Sequence, residues 1–218
     1  MSGRLIAIGD IHGCSAALEA VLSAIAPRPA DTLVTLGDYV DRGPDCSSVL
    51  EMLRKLRKQT QLVPLLGNHD EMMLKVCGGR QDLLIDWLAF GGTATLASYH
   101  TLLPSAVPPP HLAFLRGCVE WHETDRHFFV HGNYQADVPL ALQPREVILW
   151  ESLKTRLPAP HVSGKTAIVG HTAQKTGQIL DLGHLKCIDT WCYGEGCLTA
   201  LEVSTGQVWQ ADKSGRPR

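Results

Sequence analysis

The chain has 218 residues, 44% hydrophobic and 19% charged, with a net charge of −2. This is the profile of an ordinary globular domain. It argues against a broadly basic nucleic-acid surface and an acidic disordered tail, and the longest apolar runs are too short to span a membrane. The opening stretch MSGRLIAIGD reaches a carboxylate at Asp10 and lacks the apolar core of a signal peptide, so a single cytoplasmic domain over residues 1–218 is expected.

In chain order, RLIAIGD is a short β run. From Ala17, residues Leu18, Val21, Leu22 and Ile25 share one helix face, DTLVTLGD is again strand-like, and Val49, Met52, Leu53 and Leu56 repeat the helical spacing. QLVPLLG is a third strand, which Pro64 assigns to a sheet edge or a bulge. Alternating strands and helices predict βαβ units with parallel pairing. Residues 78–117 change character. DLLIDWLAF, TATLASYH and PPPHLAFL are short helices broken by Gly91-Gly92 and by prolines between Pro104 and Pro110, and they are expected to form a helical insertion. RHFFVHG and KTAIVGH are further strands. QILDLG, HLKCIDT, CLTALEV and QVWQAD predict an antiparallel meander.

There are seven cysteines, an odd count, and no C-x-x-C pair. This argues against a disulfide framework and a structural zinc site. The cluster CIDTWCYGEGC is read as small buried apolar residues in a reducing compartment.

Five predicted strands end in polar residues of metal-ligand type: GDIHG with Asp10 and His12, GDYVDRG with Asp38, Asp41 and Arg42, GNHD with Asn68 and His69, HG with His131, and GH with His171. In open α/β sheets ligands bind beyond the carboxyl ends of the strands. Carboxylate, imidazole and amide oxygen together suit manganese, iron or zinc. Two such cations acidify a shared water and clamp an in-line displacement at phosphorus, and Arg42 offers a planar fork for phosphate oxygens. Each residue alone has a blander reading, as a turn, a core histidine or a surface ion pair. Five strand ends in this order do not fit those readings jointly.

GDIHG, GDYVDRG, GNHD, HG and GHT resemble the signature of the calcineurin-like metallophosphoesterases. The nearest branch is the phosphoprotein phosphatase type, with small bacterial and phage serine/threonine phosphatases and the symmetric diadenosine tetraphosphatases. The resemblance implies an α/β (α+β) fold, a four-layer α/β/β/α sandwich with a small helical insertion. It implies two divalent metals, manganese first and iron or zinc as alternatives. Asp10 and His12 would hold the first metal, Asp38 would bridge, and Asn68, His131 and His171 would complete the second. His69 would be the general acid, with Asp41 orienting it and favouring its protonated form, and Arg42 and Asn68 would bind the substrate phosphate. A metal-bridging hydroxide would attack, so no side-chain nucleophile is needed. A second phosphate-binding arginine is expected shortly after Trp150, where Ser152 stands instead, and Arg145 and Arg156 are possible substitutes.

The expected activity is a serine/threonine protein phosphatase acting on a phosphorylated protein or small phosphoester. The alternative is symmetric diadenosine tetraphosphate hydrolysis, for which Trp87, Phe90, Tyr99 and His100 are candidate stacking residues, although helix-spaced aromatics are more often core. An inactive phosphatase-fold binding module should have lost a ligand or the acid, and none is missing. The charge disfavours a nuclease, and neither nucleic acid nor membrane is expected as a partner.

Overall fold

The computed structural model describes residues 3–218; Met1 and Ser2 of the expected domain lie outside the described residues. The first half follows the predicted alternation: β1 (Leu5–Ile8), α1 (Ser15–Ile25), β2 (Thr32–Thr35), α2 (Cys46–Leu56), β3 (Gln61–Pro64) and α3 (Asn68–Cys77). β1 pairs parallel with β2, and β2 with β3. β3 is an edge strand, which accommodates Pro64. Short helices α4 (Leu84–Trp87), α5 (Thr93–Ser98) and α6 (Pro109–Arg116) follow, and they pack against α2 and α3.

The second half contains β4 (Trp121–Glu123), β5 (His127–Val130), α7 (Arg145–Trp150), β6 (Thr166–Val169), β7 (Leu180–Asp181), β8 (Leu185–Cys187), β9 (Leu198–Glu202) and β10 (Val208–Ala211). The strands form two five-stranded sheets, ordered β10-β9-β1-β2-β3 and β4-β5-β6-β8-β7. The expected C-terminal meander is corrected. β7 and β8 pair antiparallel in the second sheet, while β9 and β10 form a hairpin in the first, with β9 antiparallel to β1. Side-chain periodicity marks each hairpin but does not say which sheet receives it.

Alternation along the strands makes the layers. Ala7, Val34, Leu36 and Leu65 of the first sheet meet Phe129, Ile168 and Ile188 of the second in an inner core. Their neighbours Ile6, Ile8 and Leu33 point outward to α1, α2 and α3. Phe128, Val130, Ala167 and Val169 point to the opposite outer layer, which holds α7 and the loops around Tyr134 and Leu140. Both faces of each sheet are covered, so the central strands are apolar throughout. This is the expected four-layer α/β/β/α sandwich.

Candidate metal centre and catalytic dyad

The loops leaving β1, β2, β3, β5 and β6 converge at one end of the sandwich. His12 donates from Nδ1 to the Val40 carbonyl at 2.8 Å, and His131 does the same to the Leu36 carbonyl at 2.8 Å. These bonds fix the tautomers and aim both Nε2 lone pairs into the site, as ligating imidazoles require. Asp38 lies between them, with Oδ2 at 3.3 Å from His12 and Oδ1 at 3.4 Å from His131.

Two three-residue clusters of metal-ligand type result, His12–Asp38–His69 and Asp38–His131–His171, and Asp38 belongs to both. Asn68 joins the second. Its Oδ1 lies 3.0 Å from His131 Nε2 and 2.9 Å from His171 Nδ1. Since His131 already donates through Nδ1, its neutral ring faces Asn68 and Asp38 with a lone pair. Three acceptor atoms converge there, an arrangement that a cation satisfies.

Asp10 lies outside both clusters but joins the two sheets: its Oδ2 accepts from the His171 backbone N–H at 3.0 Å. Its Oδ1 is buried with no hydrogen-bond partner. An orphaned carboxylate oxygen is costly unless a cation meets it. Gly170 permits the close approach, since a Cβ there would stand 2.1 Å from Asp10 Oδ1. Burial, together with the charges of Asp189 and Asp38, pushes the Asp10 carboxyl well above the usual range. Burial acts the same way on Asp38, but His131, His69 and His12 override it and hold that carboxyl well below. Burial lowers His171 to about 4, with His131 contributing, and it also lowers His131. Asp38 is thus held as a carboxylate beside neutral His131 and His171, and the carboxyl, imidazole and amide donors gathered here fit divalent cations.

Beside it, His69 Nδ1 meets Asp41 Oδ2 at 2.8 Å, while the His69 backbone N–H donates to Asp38 Oδ1 at 3.0 Å. Arg42 reaches His69 Nε2 at 2.7 Å with one arm and His12 Nε2 at 2.9 Å with the other. The nine positions singled out from the sequence for this site as ligand, acid, orienter or phosphate binder are thus gathered at one locus, while the two suggested substitutes Arg145 and Arg156 are not. Arg145 pairs with Glu71 and Glu120, and Arg156 pairs with Glu151 at 2.8 Å. Ser152 Oγ lies 3.1 Å from Thr172 Oγ1.

Several contributors were not legible as such. Trp87 is buried and donates from Nε1 to both Asp41 oxygens at 3.1 Å, which corrects its reading as a stacking candidate. Thr95 donates to Asp41 Oδ1 at 2.6 Å. Tyr99 bonds His111 at 2.6 Å, and Phe90 is 55% exposed. Asp70, in the first turn of α3, accepts from Gly67 N–H at 3.0 Å and from Tyr39 N–H at 3.0 Å. Backbone strain also marks the place. His12, Asp38, Asp41, Arg42 and His171 all have left-handed φ angles between 43° and 69°. Such a residue costs about 1–3 kcal/mol and persists only where its surroundings over-determine it.

Residues 3–196 match the calcineurin-like phosphoesterase family. The chain belongs to this family of phosphoric ester hydrolases. It is similar to the serine/threonine-protein phosphatase 1 of Salmonella typhimurium, 28% identical over 209 residues that cover 90% of both chains. It is 47% identical over 73 residues to the symmetrical bis(5'-nucleosyl)-tetraphosphatase of Baumannia cicadellinicola, covering 33% of this chain and 25% of that one. The chain therefore spans only about a quarter of the length of such tetraphosphatase relatives. A solved structure of a candidate diadenosine tetraphosphatase superposes with a TM-score of 0.72 at 24% identity, covering 97% of this chain and 94% of that one, a likeness of fold. No helix among the described residues is long and apolar enough to cross a membrane.

Proposed function

We propose that the chain is a metal-dependent phosphoric ester hydrolase acting as a serine/threonine protein phosphatase. The observation that carries the reading is Asp38, shared by two ligand clusters and hydrogen-bonded to the backbone of the dyad histidine. Asp10, His12 and Asp38 would hold one divalent cation, and Asp38, Asn68, His131 and His171 a second. When bound, the cations supply an acidified water and offset charge on the phosphoryl oxygens. Manganese suits these ligands, with iron or zinc as alternatives.

The chain's own residues do the rest. Arg42 presents two N–H arms over the clusters and would turn them onto phosphate oxygens. His69, oriented through Nδ1 by Asp41, presents Nε2 to the site and would give a proton to the leaving alkoxide as its bond to phosphorus breaks. Trp87 and Thr95 hold Asp41, so residues of the 78–117 segment belong to the catalytic apparatus of one domain. The free state of all seven cysteines supports a cytoplasmic setting.

Two observations favour a phosphoprotein over a polyphosphate. The similarity to the Salmonella phosphatase runs nearly end to end. Arg145 and Arg156 are committed to carboxylates, so Arg42 is the arginine at hand for phosphate. The local identity with the tetraphosphatases favours the second reading, diadenosine tetraphosphate hydrolysis. Metal-stripped protein, given Mn²⁺ with either a phosphothreonine peptide or diadenosine tetraphosphate, tests both. Faster phosphate release from the peptide supports the first reading, and preferred tetraphosphate cleavage replaces it with the second.

A further inference from the structure

His12 and His131 are each tied through Nδ1 to a backbone carbonyl, which frees Nε2 for the site. His171 is held the other way round. Its Nε2 lies 3.0 Å from the Trp150 carbonyl, and its Nδ1 lies 2.9 Å from Asn68 Oδ1. Both partners are acceptors, and they compete for the single proton of a neutral ring. A proton on Nε2 leaves the Nδ1 lone pair facing Asn68, as a ligand of the second cluster requires. A proton on Nδ1 would go to Asn68 and block that lone pair. The position of the Trp150 carbonyl therefore decides whether His171 can ligate.

Trp150 is the last residue of α7, and its indole Nε1 donates to Glu71 Oε2 at 2.9 Å. Glu71 is a charged side chain in a residue only 4% exposed. It also meets Lys75 at 3.0 Å, and it pairs with Arg145, the first residue of α7. One buried carboxylate thus holds both ends of that helix. Burial alone would raise the Glu71 carboxyl, but Arg145, Lys75 and Trp150 hold it below the usual range. Glu71 belongs to α3, whose first residues are Asn68 and His69. The helix that opens with the amide ligand and the acid is therefore joined, through Glu71, to the helix whose last carbonyl orients His171.

We propose that Glu71 is a positioning residue: by anchoring Trp150 it keeps that residue's carbonyl on His171 Nε2, and so keeps the Nδ1 lone pair turned to the second cation. This rests on the two-cation reading above and extends it. A carboxylate suits the task, because it accepts from the indole and from both cations while they offset its charge. An alanine would leave the indole N–H without this partner and Arg145 and Lys75 without a counter-charge, loosening the end of α7.

The test compares wild type with Glu71→Ala in two measurements that involve no turnover. In metal-stripped protein, ¹⁵N chemical shifts of the His171 ring read which nitrogen carries the proton. Wild type should hold it mainly on Nε2, and the variant should move it toward Nδ1. Calorimetric titration with Mn²⁺ reads affinity. The variant should bind one of two ions about tenfold more weakly and the other as wild type does. Trp150→Phe, which removes only the indole N–H, should reproduce both changes, and it carries the test if Glu71→Ala does not fold. A wild-type proton on Nδ1, a proton unmoved by substitution, an unchanged Mn²⁺ affinity or an equal weakening of both ions overturns the proposal. A protein that passes both measurements yet hydrolyses neither the phosphothreonine peptide nor diadenosine tetraphosphate would sink the phosphatase reading and leave Glu71 in its role.

Discussion

His69 and Asp41 stand 2.8 Å apart, Nδ1 to Oδ2, in a pocket where both side chains are buried and Trp87 and Thr95 supply the remaining bonds to the carboxylate. The imidazole is therefore held by a group that cannot turn away.

His69→Asn should keep metal binding and lower turnover by about 100- to 1,000-fold, as loss of a general acid does. Asp38→Asn should lose both, because Asp38 is common to the two clusters. Elemental analysis of metal content beside steady-state rates checks the pair, and full activity in His69→Asn would remove that residue as the acid.

Thr95→Val deletes the 2.6 Å bond to Asp41 while keeping the side-chain volume. We expect turnover to fall about tenfold with metal content intact, and the pH–rate profile to move, since the effect passes through His69. A change in stability alone, with an unaltered profile, would make Thr95 a packing residue only.

Asp70→Ala leaves the buried N–H groups of Gly67 and Tyr39 unpaired at the start of α3. Each orphaned donor costs about 1–3 kcal/mol. Denaturant unfolding should show a loss of about 2–4 kcal/mol, and Asp70→Asn, which keeps an acceptor, should lose less.

Asp31 is covered by Arg4 and Arg28, which donate to it at 2.6 and 3.0 Å. Burial alone would raise its carboxyl, but the two guanidinium groups hold it well below the usual range. A depressed carboxyl stabilises the fold above the unfolded-chain value of about 4 and loses that contribution as pH falls toward the folded value. Unfolding of wild type and Asp31→Asn should therefore differ at pH 7 and converge as pH drops below about 4.

The candidate ligands at the strand ends were readable because each sits where an apolar run stops at a Gly-Asp, Gly-Asn or histidine-glycine pair, and the strand itself carries it to the candidate site. The groups that hold them were not. Thr95 and Trp87 reach Asp41 across 54 and 46 residues, and Tyr193 meets Arg42 from a loop on the far side of the chain. No local period records such contacts. The cysteine cluster drew attention to the 187–197 segment for its thiols, yet the side chains that approach the site there are aromatic. β4 escaped notice because a short, half-exposed edge strand with the sequence WHE has little apolar pattern.

The two sheets contribute unequal halves of the centre. Asp10, His12, Asp38 and Asn68 follow strands of one, and His131 and His171 follow strands of the other. The seam between them is closed by Ala7, Val34, Leu36, Phe129 and Ile168. The candidate cluster of Asp38, Asn68, His131 and His171 draws on both sheets, so catalysis should report on the docking of the sheets. A fluctuation that parts the seam without melting either sheet would silence the enzyme, and metal bound across the seam would act as a clasp, tying the rate of inactivation to the rate at which the ions escape.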